Sequence, residues 1–152
     1  MLLDENTIKS LNDNLPPQIR AFGYRKVTQS FDAKTNCDAR TYMYLLPTMA
    51  FCPIDEITNE KYIASEDVIK LVNDTLKLYV GTHNFHNFTS GKKYIDPSAK
   101  RFIMSFECEK PFVKDDVEFA VIKVKGQSFM LHQIRYKTKW ILIRISVYYL
   151  EK

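Results

Sequence analysis

The chain has 152 residues, with 22 lysines and arginines against 18 aspartates and glutamates, so its formal net charge is +4. This length suits one domain with a moderate core and argues against two independent domains. The basic excess is compatible with a polyanionic partner, although clustering of cations decides nucleic-acid affinity more than their total. Cys37, Cys52 and Cys108 are widely spaced, which argues against a disulfide framework and a four-ligand zinc site.

Neither end of the chain predicts membrane insertion. The first residues are acidic where a secretory or mitochondrial signal would be basic. The apolar segment 140–150 is too short to span a bilayer, and Arg144 interrupts it. We therefore expect a soluble protein with no membrane partner.

The first third of the chain predicts a helix and a strand. Residues 4–15 are expected to form a short helix, which Pro16 and Pro17 end because neither can donate an amide hydrogen. A strand is expected over 20–28, followed by the polar loop 32–36.

A second strand is predicted over 40–46. Tyr42 and Tyr44 point to one face and Met43 to the other, so both faces carry bulky groups and we expect a central strand. Residues 48–63 have no sustained period and are expected to form a connection.

A second helix is predicted to run from Ser65 to about Val80. The Ser65 hydroxyl can cap it, and Gly81 can end it. Its apolar residues recur at steps of three and four and should face a sheet. They are Val68, Leu71, Val72, Leu76 and Val80.

The last third of the chain predicts two strands and a helix. Strands are expected over 99–109, with alternating Phe102, Met104, Phe106 and Cys108, and over 118–125. The resulting order is helix, two strands, helix, two strands, helix. It indicates an α+β domain with one mixed or antiparallel sheet covered by helices.

Arg135 is the first candidate for a functional residue. Gly126 permits a sharp turn after the last strand, and we expect a helix directly beyond it. Ser128 and Leu131 lie seven and four residues before Arg135, so the three would share one helical face. A guanidinium keeps its charge and needs a carboxylate or phosphate opposite it. The alternative is an arginine whose stem covers apolar surface while its head reaches water.

Two aromatic segments give further candidates. Tyr42 and Tyr44 offer ring faces for stacking and hydroxyls for proton transfer, or they merely fill a sheet. His83 and His86 are three residues apart, but no further ligand lies nearby and a catalytic zinc needs three protein ligands, so no metal site is predicted. Segment 81–90 is otherwise a loop whose phenylalanines fill the core.

Three segments, in order, resemble the TruA-like tRNA pseudouridine synthases and are closest to the eukaryotic branch of that family. They are residues 37–47, 81–90 and 126–135. The resemblance implies a pseudouridine synthase fold and an isomerase that turns uridine into pseudouridine in tRNA and some other RNAs, with no cofactor. It implies a nuclear or mitochondrial location and leaves the oligomeric state open.

The resemblance also implies roles for individual residues. In the family an aspartate does the central chemistry, a tyrosine packs against the flipped base and assists proton removal, and an arginine pairs with the aspartate. Tyr42 matches the tyrosine, with Tyr44 as the alternative, and Arg135 matches the arginine. The implied RNA contacts are Arg40, His83, Phe85, Lys92 and Lys93.

Two departures from the family pattern limit the prediction. The family's Arg-Thr-Asp-x-Gly motif does not occur here, and Asp38 belongs to the tyrosine strand's own motif rather than to the missing one. After Arg135 the family continues with a small, apolar, glycine-containing helix, whereas this chain does not. We therefore expect a partial synthase domain over 1–135, a divergent tail over 136–152, and a fragment that is inactive alone.

Two other functions remain alternatives. A non-catalytic RNA-binding module would retain the cleft without the nucleophilic aspartate. The other alternative, which sets the resemblance aside, is a generic α+β domain that binds protein.

Overall fold

The computed structural model describes residues 5–53 and 62–150, and for residues 5, 140 and 143–150 it describes the backbone alone. The chain divides into two compact units, residues 1–37 and 38–152. Much of the predicted connection 48–63 lies outside the described residues.

The first unit is a short helix followed by turns. Helix α1 spans Glu5–Asp13, close to the prediction. The predicted strand over 20–28 is wrong: these residues form no ladder with another described strand. Asn12 instead holds the chain here, because its side chain donates to the Ala21 carbonyl at 2.9 Å and accepts from the Ala21 amide at 2.7 Å.

The predicted loop 32–36 is a turn built around one carboxylate. Asp32 accepts from the amides of Lys34 and Thr35 at 2.9 and 2.7 Å and from the Thr35 hydroxyl at 2.9 Å. Hydrogen bonds to Thr35 lower the pKa of Asp32, because they stabilise its charged form.

The second unit contains a five-stranded antiparallel sheet and two helices, so the predicted α+β class is confirmed. The strands are β1 (Arg40–Pro47), β2 (Gly81–Asn84), β3 (Lys100–Cys108), β4 (Phe112–Lys114) and β5 (Val117–Gly126). The helices are α2 (Glu66–Lys77) and α3 (Gln133–Leu150). The sheet order is β1-β5-β3-β2, and β4 forms a hairpin with β5.

Strand β1 lies at one edge of this sheet, so the prediction of a central position is wrong. Among the described strands it pairs with β5 alone, in unbroken register from Arg40 opposite Gly126 to Pro47 opposite Phe119. Its bulky residues on both faces remain largely exposed, and only Leu46 is buried. Bulky side chains on both faces of this strand therefore did not indicate that the strand is buried.

Strand β2 was predicted as part of a loop, but it pairs with β3 from Gly81 opposite Ile103 to Asn84 opposite Lys100. Gly81 has φ +103°, which a residue with a side chain rarely adopts, and it provides the turn out of α2. The sequence did not predict this strand, because its four residues show no alternation of apolar and polar side chains.

A bulge in β3 changes which of its residues are buried. The register with β5 shifts between Ile103 and Ser105. Ile103 and Phe106 are consequently buried, whereas Phe102 and Met104 are exposed. The predicted alternation from Phe102 to Cys108 is thus wrong at its first two positions, because a bulge reverses the phase of a strand.

Helix α2 begins as predicted but ends earlier, at Lys77, so Val80 of the predicted apolar stripe lies beyond the helix and is exposed. The Ser65 hydroxyl accepts from the Val68 amide, and Glu66 and Asp67 in the first turn oppose the positive end of the helix dipole. The helix packs against β3. Asn73 joins the two by bonding both the amide and the carbonyl of Cys108 at 2.8 and 3.2 Å.

The core lies between the helices and one face of the sheet. On β5 this face carries Ala120, Ile122 and Val124, all buried. Val72 and Leu76 of α2 are fully buried against it. Within the described part of the chain, no helix is long and apolar enough to cross a membrane.

Candidate active site

Tyr42 and Arg135 line one cleft of about 650 Å³. Strand β1 forms one wall of the cleft, and the segment from Phe129 to Arg135 forms the other. The lining residues are Tyr42, Met43, Tyr44, Phe129, Met130, Leu131, His132, Gln133, Ile134 and Arg135. The structure therefore brings two of the three segments that carry the resemblance into one site.

The Tyr42 ring is held by a neighbouring aromatic ring. Tyr42 is 45% exposed, and its ring meets Phe129 edge to face with centroids 5.2 Å apart. Such pairs contribute about 0.5–1.5 kcal/mol beyond the area they bury. Phe129 thus fixes the orientation of the tyrosine while leaving part of its surface accessible from the cleft.

Gly126 makes room for this aromatic pair. A Cβ atom at Gly126 would lie 2.8 Å from Phe129 Cζ and 3.0 Å from the Phe102 carbonyl oxygen. The φ of this glycine is not in the left-handed region. Its role is therefore close approach of the Phe129 ring to the strand backbone, rather than the special conformation that the sequence suggested.

Helix α3 begins later than predicted, at Gln133. Ser128 and Leu131 precede it, so the expectation that they share a helical face with Arg135 is wrong. The helix start is fixed by a reciprocal pair of bonds: the Met130 amide donates to Gln133 Oε1 at 2.8 Å, and the Gln133 amide donates to the Met130 carbonyl at 3.1 Å. The glutamine side chain plays the part it has in a capping box, while the return bond comes from the backbone because Met130 has no side-chain acceptor.

His132 turns the chain just before α3. Its φ is +59°, a conformation that costs a residue with a side chain some free energy. Its ring packs against Tyr136 with centroids 6.3 Å apart. This backbone kink separates the loop from the helix, and no periodicity in the sequence marks it.

Arg135 lies in the first turn of α3, and its side chain is exposed at the cleft. The described ion pairs are Lys77 with Asp74, Lys92 with Asp96, and Lys123 with Glu109. None involves Arg135. Within the described residues, its guanidinium therefore has no carboxylate opposite it.

The predicted RNA contacts lie outside the cleft lining. His83 is exposed on β2, and its Nε2 donates to the Val80 carbonyl at 2.9 Å. Lys92 is paired with Asp96 at 2.9 Å, and hydrogen bonds from the Ser98 hydroxyl and then from Lys92 lower the pKa of Asp96 to about 2. Lys93 is exposed, and Arg40 is partly buried at the start of β1.

The prediction that Phe85 contacts RNA requires a correction. Its side chain is only 3% exposed, so it cannot contact RNA directly and belongs to the core. The segment after β2 nevertheless reaches the cleft through another residue, because the Thr89 hydroxyl donates to the Leu131 carbonyl at 2.9 Å. Leu131 lines the cleft.

Lys137 of α3 is fully buried, which the sequence did not predict. Its Nζ lies 3.5 Å from the centroid of the Phe85 ring and 5.4 and 5.8 Å from those of Tyr79 and Phe106. It makes no hydrogen bond with any described residue. Burial lowers its pKa to about 7. Its spacing from Ile134 and Ile141, three before and four after, is the signal that places it on the buried stripe.

Two observations on the described residues bear on metal and thiol chemistry. They contain no group of three histidine, cysteine, aspartate or glutamate side chains that could hold a metal ion. Burial raises the pKa of Cys108 to about 11, so it remains a protonated thiol at neutral pH.

Comparison with known proteins identifies the family of the chain. A family model described as tRNA pseudouridine synthase matches residues 75–146. The mouse pseudouridylate synthase 1 homolog is 52% identical over 134 residues, which cover 88% of this chain and 32% of the mouse protein. The human protein of the same name is also 52% identical, and the match covers 88% of this chain and 31% of the human protein. The tRNA pseudouridine synthase 1 of Yarrowia lipolytica is 30% identical over 213 residues, covering 87% of this chain and 40% of that protein.

Fold and matches together define the class as an α+β domain of the pseudouridine synthase fold. The chain belongs to the TruA-like tRNA pseudouridine synthase family. It spans about a third of the length of the mouse and human relatives.

Proposed function

We propose that this chain contributes the tyrosine and the arginine of a site that isomerises uridine to pseudouridine in tRNA. The observation that carries the proposal is that Tyr42 and Arg135, from opposite ends of the second unit's sequence, line one cleft. A half-exposed ring fixed at its edge by Phe129 can stack on a base lifted out of its helix.

The reaction requires an acid opposite Arg135. A carboxylate beside a guanidinium keeps its charge, because a nearby cation lowers its pKa. Arg135 meets no carboxylate among the described residues, and the family's aspartate motif does not occur in the sequence. The proposed acid is therefore supplied by a polypeptide segment that this sequence does not include, and the chain by itself does not convert uridine.

RNA binding in this proposal is electrostatic and lies beside the cleft. Lys93, His83 and Arg40 would contact the tRNA backbone, while Lys92 would first have to release Asp96. Phosphate contacts weaken as salt rises, so binding of tRNA by the purified chain should decrease steeply with salt. Binding without any such dependence would contradict this assignment.

The site can be tested in a chimaera of the mouse relative in which residues 38–135 of this chain replace the corresponding stretch. We expect the chimaera to form pseudouridine in transcribed tRNA. Tyr42→Phe should reduce turnover on the order of 10²-fold, because it removes the hydroxyl proposed to assist proton transfer. The matched control is Tyr44→Phe, the other cleft tyrosine, which should keep most of the activity.

The second candidate function is an RNA-binding module without catalysis. The observation that favours it is the unpaired guanidinium of Arg135 among the described residues. A chimaera that binds tRNA as tightly as the mouse protein but forms no pseudouridine would support it and overturn the first proposal.

A further inference from the structure

The loop between β2 and β3 presents an exposed aromatic ring. Residues 91–95 are all exposed, and the side chains of Tyr94 and Ile95 are 70% and 83% exposed. A single exposed apolar side chain is ordinary on a protein surface, so the ring alone indicates no site. Two further features distinguish Tyr94: its ring is held in one orientation, and lysines lie beside it.

Asn84, the last residue of β2, holds this ring in place. Its Nδ2 donates to the Tyr94 carbonyl at 2.6 Å, and its Oδ1 accepts from the His86 amide at 3.2 Å. The His86 ring in turn meets the Tyr94 ring nearly perpendicularly, at 84°, with centroids 5.3 Å apart. The Tyr94 ring is therefore oriented by its neighbours while most of its surface stays accessible.

Positive charges lie beside the ring. Lys93 precedes it in the chain, and Lys100 lies opposite Asn84 in the β2-β3 ladder, on the same face of the sheet. Both lysines are exposed, and neither forms an ion pair with a described residue. The loop's one carboxylate, Asp96, is already paired with Lys92 at 2.9 Å. Surfaces that bind single-stranded nucleic acid combine these two features, because bases stack on aromatic rings while cations follow the backbone.

The same loop is joined to the cleft. The Thr89 hydroxyl donates to the carbonyl of Leu131, which lines the cleft together with Arg135. Tyr94 is five residues from Thr89, and five extended residues span at most about 18 Å. RNA bound in the cleft can therefore reach the ring.

We propose that Tyr94 stacks on an unpaired base of the bound RNA, outside the cleft that receives the target uridine, while Lys93 and Lys100 contact neighbouring phosphates. The inference rests on the proposed function in taking RNA as the ligand. It also demands something narrower of that RNA. A ring stacks on a base of any identity, but only where the base is free of its own helix. A duplex offers phosphates to the lysines and no base to the ring.

Binding of RNA by the purified 152-residue chain tests the stack. Tyr94→Leu keeps an apolar side chain but removes the ring, and it should weaken binding of transcribed tRNA at least roughly fivefold. The matched variant Tyr94→Phe keeps the ring and should bind tRNA within about twofold of the wild type. Neither substitution should change binding of a fully paired RNA duplex. Circular dichroism checks that both variants are folded, as expected for changes at an exposed residue.

The salt dependence of binding separates the ring from the lysines. Tyr94→Leu should leave the slope of log Kd against log salt unchanged. Lys93→Gln should reduce the magnitude of that slope by about one and weaken binding of tRNA and duplex alike.

Four outcomes would overturn the proposal: no binding of tRNA by the wild-type chain, no loss in Tyr94→Leu, equal losses in Tyr94→Leu and Tyr94→Phe, or an equal loss with duplex. Unchanged binding in Tyr94→Leu would leave the ring to a protein partner. The chimaera of the mouse relative separates this inference from the proposed function. A chimaera that forms no pseudouridine, but whose tRNA affinity still distinguishes the two Tyr94 substitutions, would contradict the proposed function alone. An active chimaera that does not distinguish them would contradict the stack alone.

Discussion

At the scale of single residues, Lys137 is a basic side chain that the fold buries without a hydrogen bond to any described residue. An ammonium group inside a ring of aromatic side chains gains cation-π attraction but loses its hydration. Burial alone accounts for its lowered pKa, and Tyr79 is the only titratable group among the three rings around it. The residue therefore couples the stability of the fold to pH.

Lys137→Met should stabilise the chain and remove a pH dependence. In the native chain the pKa is about 7 against an ordinary 10.5, so between these values the unfolded state binds one more proton. Wild-type stability should therefore rise by about 1.4 kcal/mol per pH unit from pH 7 towards pH 9 and change little from this group below pH 7. Urea unfolding at several pH values measures the slope.

The control for this prediction is Lys139→Met, which removes an exposed lysine from the same helix. It should leave the slope unchanged. An identical slope in wild type and Lys137→Met would show that the lysine is not buried as described.

At the scale of elements, the join between β5 and α3 builds the cleft. Gly126 lets Phe129 lie against the strand, and Phe129 in turn orients Tyr42. The reciprocal bonds between Met130 and Gln133 then fix where α3 begins and so where Arg135 lies. Both catalytic candidates thus depend on a seven-residue stretch, 126–132.

Gly126→Ala should destabilise the chain by about 1–3 kcal/mol, because the new methyl group overlaps the Phe129 ring and the Phe102 carbonyl. It should also displace Phe129 from Tyr42. Thermal unfolding measures the first effect, and the Tyr42 resonances in NMR spectra measure the second. Gly23→Ala, where a Cβ meets nothing within 4 Å, is the control. Equal effects of the two substitutions would contradict the packing role.

The β4-β5 hairpin offers a substitution that should stabilise the chain rather than destabilise it. Asp115 and Asp116 have φ of +51° and +62°, as the two central residues of a type I′ turn require. Asp116→Gly should raise stability by roughly 0.5 kcal/mol, because glycine removes left-handed strain while adding some unfolded-state entropy. Asp115→Gly should raise stability less, since aspartate is favoured at the first central position of this turn. A loss of stability in Asp116→Gly would argue against this turn type.

Elements with a strong period or a clear cap could be predicted from the sequence. Helix α2 has its serine cap and its apolar stripe, and β5 has its β-branched alternation. The edge position of β1 and the bulge in β3 could not be predicted from the sequence, because both depend on which strands become neighbours. The pairing of Tyr42 with Phe129 and the cage around Lys137 likewise arise only when distant segments pack.

At the scale of the whole molecule, the second unit presents half of the catalytic site that we propose. A tyrosine and an arginine line the cleft, and no acid among the described residues faces the arginine. The purified 152-residue chain should therefore form no pseudouridine in transcribed tRNA, measured after digestion by mass spectrometry. Detectable product would mean that an acid of this chain, rather than a supplied one, performs the chemistry.

The most direct test of the account compares turnover with tRNA affinity for Arg135→Ala in the chimaera of the mouse relative. If Arg135 holds a catalytic carboxylate, the rate of pseudouridine formation should fall on the order of 10²-fold while the Kd for tRNA changes little. Equal losses of rate and affinity would identify Arg135 as a phosphate contact and contradict the account.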